Sequence, residues 1–209
     1  MLRTQSPRRA GTSDMAPTDL ALQLHRLRLP LVRLPEKLIR LSSRRFPNPI
    51  HWSQLGIHRF DSPGARYGVL YTSNRIETGI LEVFGDQWMT DRQVSLSDLE
   101  SYDVCEIEIR QSLPVLNATG KHLNRLGLDA NFFATTDYAT TQAWASALMT
   151  HPQVPAGIRY NSRKNPRRIN YAVFGSPAAK STVRLVKRYP LVNYDKLFRF
   201  LFQYDVEVL

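Results

Sequence analysis

The chain of 209 residues carries one cysteine, Cys105, so it forms no internal disulfide and offers no multi-thiolate metal site. Long apolar runs are also missing. The most apolar stretches, around Ala143–Met149 and Leu197–Phe202, are short and interrupted by polar residues, far from the roughly 18 apolar residues that cross a bilayer. There is no Gly-rich phosphate loop, no His-Glu-x-x-His and no Gly-x-Ser-x-Gly elbow. The five histidines, His25, His51, His58, His122 and His151, have no ligand-like spacing, and no metal is expected. The N-terminus has no apolar export signal; with a lone thiol, that points to the cytoplasm.

What is present is an ordinary globular composition, 43% hydrophobic and 22% charged, enough to bury a core. The net charge of +10 is unevenly placed. Residues 1–45 hold ten basic side chains against three carboxylates, leaving eighteen against fifteen in the remaining 164. The body is nearly balanced, which argues against a nucleic-acid-binding face, and the surplus belongs to the N-terminal segment. Residues 1–18 are polar, basic and without apolar period, and read as disordered; either Met1 or Met15 serves as the start.

From Asp19 onward ordered signals alternate. A short helix is expected over Asp19–Arg28, and a buried strand over Val69–Thr72, ending at Ser73 and Asn74, either of which caps a following helix. That helix, Arg75–Phe84, has apolar residues at Ile76, Ile80, Leu81, Val83 and Phe84 and is expected to stop at Gly85. Val104–Arg110 alternates strictly, a half-buried strand with Cys105, Ile107 and Ile109 inward. Helices follow over Ala118–Leu126 and Thr136–Met149, the second capped by Thr135 or Thr136 with Asp137 in its first turn. Strands are expected at Gly157–Tyr160, Asn170–Phe174 and Thr182–Lys187, and a last helix at Asp195–Gln203. Without strict β-α-β alternation the class is α+β, a single compact domain.

Glu82 stands out chemically. It lies inside Ile80-Leu81-Glu82-Val83-Phe84, so its carboxylate either turns to solvent at a helix edge or meets a specific partner, because an unpaired buried charge is costly. Glu77 sits about 140° away around the helix and cannot share its face. A second cluster is Ile57-His58-Arg59-Phe60-Asp61, with Tyr67 and then the strand carrying Tyr71. A third is Gly157-Ile158-Arg159-Tyr160-Asn161-Ser162-Arg163. Singly, each is as well explained by surface or core roles. Together they supply guanidinium groups for phosphates, an aromatic face, a carboxylate and a hydroxyl, a set that suits a dinucleotide with cationic character developing at a ribose.

In order and spacing these segments resemble the RES domain, the toxin component of Xre–RES toxin–antitoxin pairs. The resemblance rests on His58-Arg59-Phe60-Asp61-Ser62-Pro63, Gly68-Val69-Leu70-Tyr71-Thr72-Ser73, Glu77-Thr78-Gly79-Ile80-Leu81-Glu82-Val83-Phe84, and Asn117-Ala118-Thr119-Gly120 with Leu126-Gly127-Leu128-Asp129. It continues through Thr141-Gln142-Ala143-Trp144-Ala145 and Gly157–Arg163. It divides the chain into a basic, flexible segment at 1–30 and a RES domain at 31–209. His58 and Gly79 depart from the pattern, where the family more often has glycine and alanine.

The resemblance implies an ADP-ribosyltransferase-like fold, with central mixed and antiparallel sheets flanked by helices. It implies an enzyme that degrades NAD⁺ and releases nicotinamide, a glycohydrolase if water is the acceptor or a phosphorylase if phosphate is, with NAD⁺ as substrate and no metal. By position, Arg59, Tyr71, Glu82 and Ser162 match the family's arginine, tyrosine, glutamate and serine. Arg40 matches the earlier arginine, with Arg33 as competitor. Arg40 and Arg59 are expected to hold the pyrophosphate, Tyr71 to pack on the nicotinamide or its ribose, and Glu82 to stabilise an oxocarbenium-like state. A small Xre-like helix-turn-helix antitoxin covering the site is the expected partner, with no membrane and no direct nucleic acid, and with homodimerisation left open. Two alternatives stand beside this reading: a protein mono-ADP-ribosyltransferase, and a basic nucleic-acid-binding module.

Overall fold

The structure, a computed structural model, describes residues 22–209. The expectation of a disordered tail, and the first part of the helix expected over Asp19–Arg28, fall outside the described residues; within them, 22–25 are helical and the chain turns away by Leu27. Ten strands follow: β1 (Leu31–Arg33), β2 (Lys37–Ser43), β3 (Val69–Ser73), β4 (Gln93–Val94), β5 (Tyr102–Ile109), β6 (Pro114–Ala118), β7 (Gly157–Asn161), β8 (Ile169–Phe174), β9 (Val183–Pro190) and β10 (Glu207–Val208). Among the helices, α1 (Ile76–Asp91) and α2 (Leu96–Glu100) follow β3 and β4. α3 (Lys121–Arg125), α4 (Asn131–Ala134) and α5 (Ala139–Met149) separate β6 from β7, and α6 (Pro177–Thr182) and α7 (Leu197–Phe202) close the chain.

Eight strands form one sheet in the order β1-β6-β7-β8-β3-β2-β5-β9, while β10 pairs with β4 separately. Within the large sheet β6 and β7 run parallel and the other neighbours antiparallel, so the fold is α+β with a mixed sheet, as expected. The sheet is weakest at its middle. β2 and β3 share a single residue pair, Ile39↔Ser73, whereas β2 pairs with β5 over seven residues and β3 with β8 over five. The two halves diverge on either side of that contact.

Apolar side chains cover both faces. Phe60, Trp144, Leu148, Phe174 and their neighbours pack α5 against the β3-β8-β7-β6 half. Phe84, Trp88, Leu191 and Phe200 join α1 and α7 to the β2-β5 half, and Leu38, Leu70, Ile107 and Val173 fill the opposite face. Phe60 is fully buried, and such burial is worth about 2–3 kcal/mol.

Several boundaries differ from the sequence reading. Neither Ser73 nor Asn74 caps α1: Arg75 is the N-cap, with no side-chain bond, and the Ser73 hydroxyl instead donates to Arg75 O at 2.7 Å. The helix also runs through Gly85. A Cβ there would stand 3.3 Å from the Lys164 side chain, so glycine admits that stem rather than ending the helix. Gly79 serves a similar end, since a Cβ would meet Leu41 Cδ1 at 2.8 Å; its bareness lets α1 lie close on β2. Ala118, expected to open a helix, instead ends β6, because pairing with Tyr160 of β7 outweighs local propensity, and the helix starts only at Lys121. The Thr136–Met149 helix begins at Ala139, its first amide held by Asp137 Oδ1 at 3.0 Å, and neither Thr135 nor Thr136 is its cap.

Candidate active site

A cleft of about 430 Å³ opens where the sheet divides. One wall is β2, through Arg40, and the other is β3, through Tyr71. α1 contributes Gly79, Glu82 and Asp86, residues spaced by three and four that share one helix face. The loop before β3 brings His58 and Arg59, and the turn after β7 brings Arg163 and Lys164. Four cationic side chains therefore meet two carboxylates, Glu82 and Asp86, in a space of small-molecule size.

Arg59 is 9% exposed, and its Nη1 is buried without a hydrogen-bond partner. A buried charged donor left unpaired costs more than the 1–3 kcal/mol, roughly, of a neutral one. Burial pulls the guanidinium below its usual range, opposed by Tyr138 and Tyr160. The Tyr138 ring lies under it, 4.9 Å from Cζ to centroid, so the plane is oriented while its edge faces the cleft. Arg40 is likewise lowered by burial, and its Nη1 donates to His51 O at 3.2 Å.

Tyr71 presents its ring to the cleft and has its hydroxyl engaged. Oη donates to Asp61 Oδ1 at 2.9 Å and accepts from Phe60 N at 2.9 Å, while His58 packs edge-on at 5.6 Å. Burial, then the Asp61 charge, pushes the phenol far above its ordinary range, so it stays protonated. Asp61 is fully buried and its Oδ2 accepts from His58 N, tying the arginine loop to β3. Gln142 on α5 donates to the carbonyls of Gly56 and His58, each at 2.9 Å, and fixes the same loop from below.

Glu82 sits on the cleft face of α1, and its Oε1 accepts from Asn170 Nδ2 at 2.7 Å. Glu77, as its angular offset requires, serves elsewhere and accepts from Tyr194 Oη at 2.6 Å. Tyr160, raised by burial and by Glu82, faces the carboxylate from β7. Lys164, lowered by burial, pairs with Asp86, as does Arg163 at 2.9 Å.

The structure thus brings together Arg40, Arg59, Tyr71 and Glu82. Ser162 is beside them but is not a lining residue: its hydroxyl oxygen accepts from Lys164 N at 3.1 Å and Asn165 N at 3.3 Å, shaping the turn that carries Arg163 and Lys164. Arg33 is exposed and lines a different surface depression with Glu36 and Arg110, so of these two arginines it is Arg40 that lines the cleft. The sequence reading missed Tyr138, Lys164, Asp86 and Asn170. Asp86 carried a signal, one turn beyond Glu82; the others are placed only by long-range packing.

The sequence matches the family model described as the RES domain over residues 30–193. A search of curated proteins returns no match. Among solved structures the chain is similar to a chain of the crystal structure of the M.tuberculosis MbcT-MbcA toxin-antitoxin complex, with a TM-score of 0.65 and 15% identity over 87% of this chain and 98% of that one. At that identity the likeness is one of fold.

Proposed function

The chain belongs to the RES-domain family, and on that premise we propose that it cleaves the nicotinamide–ribose bond of NAD⁺ as the toxin of a toxin–antitoxin pair. The observation that carries the reading is Arg59: a buried guanidinium with an unpartnered nitrogen, in one cleft with Arg40, the Tyr71 ring and Glu82. A diphosphate answers the need of that nitrogen, because guanidinium groups take phosphate oxygens in paired hydrogen bonds.

In this mechanism Arg40 and Arg59 hold the pyrophosphate and leave the nicotinamide riboside end against Tyr71. The ring of Tyr71 packs on the substrate; its hydroxyl, committed to Asp61 and Phe60, takes no part in proton transfer. Glu82 accepts a hydrogen bond from a ribose hydroxyl and sets its charge beside the anomeric carbon. The C–N bond breaks with its electron pair going to the pyridine nitrogen, so nicotinamide departs neutral and needs no general acid. Positive charge builds on the ribose, where Glu82 lowers the barrier. Water then adds and releases a proton, giving ADP-ribose. Ser162 acts through the turn that presents Arg163 and Lys164.

The partner in this reading is a small antitoxin that covers the cleft. Expression of the wild-type chain alone is expected to arrest growth with a fall in cellular NAD⁺, and co-expression with such a partner to restore both. Normal growth with folded protein abundant and NAD⁺ unchanged would contradict the toxin reading.

A further inference from the structure

Asn170 is 2% exposed and stands on β8 between Tyr160 of β7 and Ser73 of β3, at the floor of the cleft. Its amide points at Glu82, and the 2.7 Å bond is short for a neutral donor. We infer that Asn170 is a positioning residue, which fixes the Glu82 carboxylate through one oxygen and leaves the other oxygen and the full negative charge for the substrate. The inference rests on the role proposed for Glu82.

Three features support it. First, Glu82 projects from an exposed helix edge and has several rotamers open to it; an anchor at one oxygen removes that freedom before substrate arrives. Second, the anchor is neutral. A cation in its place would offset the charge that the mechanism needs. The nearest lysine, Lys164, is paired with Asp86 on the next turn of α1, and Arg163 shares that partner. The other groups facing Glu82 are Arg59 from the loop before β3 and Tyr160 from β7, and neither takes a hydrogen bond to it. Third, Asn170 is itself fixed by strand pairing on both sides, so it carries the rigidity of the sheet to a helix side chain.

The test compares Asn170→Ala, the isosteric Asn170→Asp, Glu82→Gln and the double variant Glu82→Gln/Asn170→Ala, with melting temperature as folding control. Asn170→Ala should lower kcat for nicotinamide release about 10- to 100-fold and change KM for NAD⁺ less than about twofold, because the arginines still hold the phosphates. Placing Asp at 170 sets a second carboxylate against Glu82, so the acid limb of the kcat profile should move up by about one pH unit or more. In the double variant the Asn170 change should cost nothing beyond Glu82→Gln, since it acts only through that carboxylate. If Asn170→Ala does not fold, the Asp variant carries the test. Wild-type kcat in Asn170→Ala, an unmoved profile in Asn170→Asp, or penalties that multiply in the double variant would each overturn the inference. If the wild type releases no nicotinamide, the proposed function fails instead. The inference is then decided by ¹³C NMR of the Glu82 carboxyl: a titration midpoint about one unit higher in Asn170→Asp sustains it, and equal midpoints overturn it.

Discussion

Tyr71 and Asp61 are joined by a hydrogen bond of 2.9 Å between the phenol and a fully buried carboxylate, and that bond links the strand at the cleft wall to the loop that delivers Arg59. Tyr71→Phe keeps the ring and removes the hydroxyl, leaving Asp61 Oδ1 and Phe60 N without this partner. The expected result is a loss of about 1–3 kcal/mol in stability with much of the turnover retained, because stacking needs only the ring. Tyr71→Ala should lose turnover as well. Denaturant unfolding and nicotinamide release on both variants check this; a Tyr71→Phe protein of unchanged stability but no activity would mean the hydroxyl takes part in chemistry.

Arg40 and Arg33 offer a second comparison, since one lines the cleft and the other an unrelated depression. Arg40→Ala should raise KM for NAD⁺ about tenfold or more, whereas Arg33→Ala should leave kcat and KM within about twofold. Arg59→Lys should also fail to restore normal KM, because a point charge cannot copy the two-pronged contact with a diphosphate. Steady-state kinetics on the three variants decides, and equal effects at 33 and 40 would exclude a pyrophosphate role for Arg40.

Much of the local pattern was legible. The alternation of Val104–Arg110 marks β5, Val69–Thr72 marks β3, and the period after Arg75 marks α1 with Glu82 on it. What could not be read is what depends on partners distant in sequence. Gly85 reads as a stop until Lys164 is seen lying across it, and Ala118 reads as helical until β7 claims it. The same holds in the site: Asn170 reads as one residue of a strand, and only the pairing of β8 with β3 brings it beneath a helix 88 positions earlier in the chain. The division of the sheet at Ile39↔Ser73, which makes the cleft, has no local signature at all.

Acid stability should be governed in part by Asp103. Its two oxygens accept from Arg44 Nε at 2.7 Å and Arg188 Nε at 2.6 Å. Burial alone would raise this carboxyl, but the two arginines overcome it and hold the group below its ordinary value of 3.8. A lowered folded-state value contributes stability that is complete above the unfolded value and is lost as pH falls through the folded one. Melting temperature should therefore drop as pH falls below about 4. Asp103→Asn should be less stable at pH 7 by about 1–3 kcal/mol and should lose less on acidification. Identical pH slopes in the two proteins would show that the pair adds nothing.

In the proposed reaction Glu82 stabilises positive charge at the ribose, and Glu82→Gln is the decisive substitution. The amide keeps shape and nearly the volume while removing the charge. Nicotinamide release by purified wild type and variant, each shown folded by its melting temperature, should differ by 10²–10³ in kcat, about 3–4 kcal/mol of transition-state stabilisation. KM for NAD⁺ should change far less. An active wild type with an equally active Glu82→Gln would contradict the claim and leave Glu82 a solvated residue at a helix edge.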